Sequence, residues 1–224
     1  MPVTKHALSN LSITTFLTPS ITHTLRRFGI VLIAAGFVWL TGCTAMRAQN
    51  PGSGYGPVNA VANEQGERVM LKGADVVAYF VQNKAMMGTP QFKSDYKGVT
   101  FQFANAEHKA LFDKQPEKYL PEFGGYCANG LAYGIPWGGD FDTWKMVNGK
   151  LYINGGKGSF EAFMLNPTLN IERATKYWTE EVSGSNSFVQ RAKRLTMRVP
   201  HYKSGGELAQ DVAAAKANGT FKPE

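Results

Sequence analysis

Apolar and polar positions alternate along this chain with several distinct periods. The longest uncharged apolar run, Phe28 to Leu40 (FGIVLIAAGFVWL), covers 13 residues, short of the roughly 20 that a membrane-spanning helix requires. Residues 44–66 are dominated by Gly, Pro, Asn, Ser and Ala, which predicts a flexible tether over 43–66. From Arg68 onward apolar and aromatic residues become dense. Val76–Val81 reads as a short apolar strand or an apolar helical turn. Tyr96–Phe103 places Val99, Phe101 and Phe103 on one face with Thr100 and Gln102 on the other, the period of a half-buried strand, entered by a turn at Lys97-Gly98. Asn105 fits an N-cap, with Glu107 in the first turn of a short helix over Ala106–Lys114 that turns Leu111 and Phe112 inward. Asn148-Gly149 between two alternating runs, Trp144–Val147 and Lys150–Asn154, predicts a two-residue type I′ hairpin. Residues 158–182 read as helical with a break at Asn166-Pro167. The polar tail beyond Ser183 contains one stretch of helical propensity, Glu207–Ala217. Together these elements predict an α+β domain over 67–182, a small antiparallel sheet with short helices, followed by a basic C-terminal helical extension over 183–224.

The position of the apolar run changes what the N-terminus means. Arg26 and Arg27 precede it and Leu40-Thr41-Gly42-Cys43 follows it, so residues 1–42 have the layout of a secretory signal. The last four residues resemble the bacterial lipobox. That resemblance implies cleavage before Cys43, a diacylglycerol thioether on its sulfur and a fatty acyl group, such as palmitate, on the new amine. Thr44 in place of Asp implies sorting to the outer membrane, facing the periplasm. Cleavage would remove three cations, Lys5, Arg26 and Arg27, and no acid, lowering the formal net charge from +7 to +4. Such a modest excess does not argue for nucleic acid, and no aromatic–basic motif of an RNA binder is present. It also leaves Cys127 as the only thiol in an exported chain, without an intramolecular partner.

A series of motifs, Leu71-Lys-Gly-Ala-Asp75-Val-Val-Ala-Tyr79-Phe80, the Tyr96–Phe103 strand, Pro116-Glu-Lys-Tyr119, Gly124-Gly-Tyr-Cys127-Ala and Trp144 through Asn154, resembles the YHS-domain proteins. The likeness is to their exported, single-cysteine branch and runs from Arg68 to Trp178. Metal-binding members of that group are thought to use cysteines that fall here on Ala78, Ala104 and His108. Two of the three positions cannot coordinate anything. The resemblance therefore implies a rebuilt site in which His108 and Cys127, with Asp75, hold a soft or transition metal such as copper or zinc. Met86, Met87 and His201 are further candidate donors. Set against this, His108 reads as a solvated helix-surface side chain, Cys127 as a buried small hydrophobe and Asp75 as a helix cap.

No HExxH, GxSxG or CxxC motif occurs, and Gly155-Gly-Lys-Gly-Ser159 lacks the spacing of a phosphate loop. The expectation is a non-enzymatic, envelope-facing binding module anchored to the membrane by lipid and binding a soft metal. A second reading makes Cys127 a redox-active or acyl-accepting nucleophile of lowered pKa. A third is a structural adaptor whose glycine loop meets an envelope protein partner.

Overall fold

The structure, a computed structural model, describes residues 43–222. The signal segment read over residues 1–42 lies outside them. Contacts group Gly42–Glu224 into one unit, so the C-terminal extension is built into the same body as the central domain. No helix among the described residues is long and apolar enough to cross a membrane.

The fold is α+β, and its two sheets stay small. After a first helix, α1 (residues 43–49), come strands β1 (Ala60–Ala62) and β2 (Arg68–Met70), helix α2 (Val76–Val81), strands β3 (Thr89–Tyr96) and β4 (Val99–Phe103), and helix α3 (Ala106–Lys114). The strand order is β1-β2-β4-β3. β1 pairs with β2, and β3 with β4, in antiparallel fashion, whereas β2 and β4 run parallel with Val69 opposite Thr100. The sheet is thus mixed rather than wholly antiparallel. The reason is topological: the chain leaves β2, passes through α2 and β3, and returns β4 beside β2 in the same direction.

Val99, Phe101 and Phe103 are fully buried and meet Phe112 of α3, with the Phe101 and Phe103 rings 4.6 and 5.1 Å from it. Aromatic burial of this kind supplies about 1.5–3 kcal/mol per side chain, and it fixes the angle at which α3 crosses the strands. Val76–Val81 resolves as helix because Asp75 caps it, accepting hydrogen bonds from the backbone of Val77 and Ala78.

Helix α4 (Ala128–Leu131) follows the glycine loop. Next comes the hairpin of β5 (Asp140–Val147) and β6 (Lys150–Asn154), with Val147 opposite Lys150. Asn148 and Gly149 both take positive φ, 51° and 73°, as a type I′ turn demands. Helices α5 (Lys157–Met164) and α6 (Pro167–Tyr177) meet at Asn166, which caps α6 with Pro167 in its first turn. Helices α7 (Ser187–Thr196) and α8 (Gly205–Ala217) complete the chain, α8 opening on a Ser204–Glu207 capping box.

The stretch read as a tether does not hang free of this body. Ala48 and Val58 are buried. Asn50 exchanges hydrogen bonds with Ser187 at the start of α7, and Asn59 donates its amide to Gly125 O and Gly139 O. The Gly, Pro and Asn content of these residues makes turns against the domain, and it ends in β1.

Candidate functional site

Ala78, Ala104 and His108, on which the cysteines of the metal-binding members fall, do meet, around the carboxylate of Asp75. Asp75 is completely buried. Its Oδ1 accepts from Val77 N (2.9 Å) and Ala78 N (3.3 Å). Its Oδ2 accepts from Ala104 N (2.8 Å) and lies 2.6 Å from His108 Nδ1. A buried carboxylate is tolerated when every lone pair is met in this way. His108 is 3 % exposed, contrary to its reading as a solvated surface residue, because Asn105 caps α3 through His108 N (2.8 Å) and turns the ring onto α2. With Nδ1 donating to Asp75, Nε2 accepts from Gln82 Nε2 at 3.3 Å. Both ring nitrogens are occupied.

Cys127 belongs to another cluster. It opens α4, takes a hydrogen bond from Gly130 N (3.3 Å) and shares one with Ser159 Oγ of α5 (3.0 Å). A side chain at Gly155 would collide with Gly138 O at 2.8 Å, while only touching the Cys127 sulfur, which explains the glycine there. Burial pushes the thiol above its ordinary range, against smaller opposing effects of Ser159 and the Gly130, Gly155 and Asn129 backbone. A nucleophile needs the opposite shift and a neighbouring base. His201 is not that base: its Nε2 donates to Ala132 O (2.8 Å) and its ring lies against Tyr133 and Tyr177.

The metal set of Cys127, His108 and Asp75 therefore does not assemble. Asp75 and His108 satisfy each other beside β4, while Cys127 is held by α4 and α5. Met87 is exposed. Among the described residues no three His, Cys, Asp or Glu side chains converge, so these donors do not fit a copper or zinc centre.

Beside Cys127 lies a cavity of about 550 Å3 walled by α4, α5, α7 and α8, within the roughly 300–1,000 Å3 of small-molecule sites. Ser159, the hydrogen-bond partner of Cys127, lines it. So do apolar side chains that include Ile135, Trp137, Leu208 and Val212. Five cationic side chains, Arg191, Arg194, Arg198, Lys203 and Lys216, face one acid, Glu161, around the same space.

Three of these cations are neutralised, Arg194 by Glu181, Lys203 by Asp211 and Lys216 by Glu161. Arg191 and Arg198 have no carboxylate in salt-bridge distance among the described residues, although, after the hydrogen bonds of Ser204, the charge of Arg198 helps to lower the pKa of Glu207. Arg191 donates to Pro136 O and Gln49 Oε1 and lies over Tyr126 and Phe188, while Arg198 lies over Tyr202. Two buried polar atoms of the wall have no hydrogen-bond partner, Asn129 Oδ1 and Arg194 Nε. Arg194 packs flat on Gly134, where any Cβ would come within 2.8 Å of Nε. The sequence pattern alone does not single out the basic side chains of this wall, although Arg191 and Arg194 recur at i and i+3, the spacing of one helix face.

Comparison with known protein families, curated proteins and solved structures finds no match to the chain.

Proposed function

We propose that the protein is a non-enzymatic, envelope-facing lipoprotein whose domain is a binding module, with its ligand taken into the cavity between α4, α5, α7 and α8. The observation that carries this reading is the cavity itself, about 550 Å3 in volume and lined by apolar side chains among five cationic ones. The surroundings agree with binding rather than chemistry. The thiol beside the cavity is held protonated by burial, and the buried imidazole is engaged elsewhere by Asp75. Lipidation at Cys43, which is exposed, would keep the module at the membrane surface, and Thr44 in place of Asp favours the outer membrane, facing the periplasm.

The test is a comparison of full-length protein purified gently from membranes before and after stripping on a hydrophobic resin. A ligand present at about 100 times its Kd adds about 2.7 kcal/mol, so stripping is expected to lower the melting temperature by about 5–10 °C for a chain of this size. Ala209 lies in the cavity wall and its side chain is exposed, so Ala209→Trp fills the space from the solvent side. That variant is expected to melt at the same temperature before and after stripping. Identical melting of stripped and unstripped wild type would contradict the reading.

A further inference from the structure

We propose that the cavity takes a linear anionic amphiphile, a single acyl-type chain carrying one anionic head, an inference that rests on the binding-module reading above. Shape is the first ground. The wall contributed by α8 runs from Gly205 through Ala209 and Ala213 to Lys216, three turns or about 16 Å of helix. Its small side chains leave a trough rather than a round pocket. Leu208 and Val212, one turn apart on the same helix, and Ile135 opposite them make the trough apolar along its length. A straight hydrocarbon chain matches such a surface, whereas a compact polar metabolite would leave it wet.

Charge is the second ground. Of the five cations of the wall, Arg194, Lys203 and Lys216 are paired with Glu181, Asp211 and Glu161, which leaves Arg191 and Arg198 outside any salt bridge among the described residues. The two cations without a carboxylate in salt-bridge distance, Arg191 and Arg198, both line the α7 side of the trough. An anionic head is the partner such guanidinium groups hold most strongly. The first turn of α5 also contributes Gly158 and Ser159 to the wall, and Gly156 offers that helix no side-chain cap. Its free backbone N–H groups favour negative charge. Burial lowers the pKa of Arg191, the direction expected of a guanidinium that an incoming anion would relieve.

Carboxylate and phosphate heads share this chemistry, and the experiment separates them. Full-length protein in lipid nanodiscs is titrated with laurate, dodecyl phosphate, dodecanol, dodecyltrimethylammonium, acetate and inorganic phosphate, with empty discs subtracted. Laurate or dodecyl phosphate is expected to bind one-to-one and at least about tenfold tighter than dodecanol, with the preferred head naming the source. Arg198→Glu, at an exposed position, is expected to weaken that binding about tenfold while leaving dodecanol unaffected. Ala209→Trp is expected to abolish both.

Dodecanol or the ammonium binding as well as laurate would overturn the anion. Acetate or phosphate binding as well as their chain-bearing forms would overturn the chain. If no chain compound binds, yet stripping still lowers the melting temperature of the wild type, the ligand class is wrong and the binding module stands. If stripping also changes nothing, both fall.

Discussion

Replacing Asp75 by Ala withdraws the acceptor of four hydrogen bonds at once, those of Val77 N, Ala78 N, Ala104 N and His108 Nδ1. Loss of the cap alone costs about 0.5–2 kcal/mol, and each buried donor left unmet costs about 1–3 kcal/mol more. Asp75→Ala is therefore expected to destabilise the protein by about 3 kcal/mol or more in urea unfolding. Asp75→Asn, which keeps the cap, is expected to cost less. A change below about 0.5 kcal/mol, the scale of a neutral surface substitution, would contradict the role given to this carboxylate. The capping half of that role is legible in the sequence, because Asp precedes an apolar helical turn. The imidazole half is not, since 33 residues separate Asp75 from His108 and only the packing of α3 on α2 brings them together. The same limit applies to Cys127. Its isolation as a thiol can be counted from the sequence, but its burial against Ser159 depends on where α5 lies.

Among the elements, α7 is held in part by charge, through Lys193 and Arg194 on Glu181. Burial alone would raise the pKa of Glu181, but hydrogen bonds from Lys193 and Gln190 and the charge of Arg194 outweigh it and hold the carboxyl below its ordinary 4.5. A carboxylate lowered on folding contributes stability that is complete above its unfolded value and disappears as pH falls through its folded value. The α7 side of the cavity is therefore expected to loosen as pH drops below about 4.5. Thermal melts across that range should fall more steeply for wild type than for Glu181→Gln, and parallel curves would contradict the assignment. Elements defined by local signals are legible in the sequence: the Asn148-Gly149 hairpin, the Asn105 cap of α3 and the Asn166-Pro167 break all occur where the pattern places them. The parallel pairing of β2 with β4 is not, because it joins Val69 to Thr100 across an intervening helix and strand. No local period encodes that pairing.

On the scale of the whole molecule, the extension beyond Ser183 does what its sequence alone does not disclose. Helices α7 and α8 supply the long walls of the cavity, and residues 48–60 pin the base of α7 through Asn50 and Gln49. The basic character of the tail is plain in the sequence. Its use is not, because the cations acquire a common purpose only when both helices fold back over α4 and α5. A cavity of this size, with apolar and cationic side chains in its wall, is the feature on which the binding reading stands. Native mass spectrometry of the full-length protein, released gently from membranes, tests it most directly. Wild type should carry one non-covalent small molecule beyond its covalent lipid, and Ala209→Trp should carry none. Wild-type protein of bare polypeptide-plus-lipid mass, under conditions that preserve its fold, would contradict the reading.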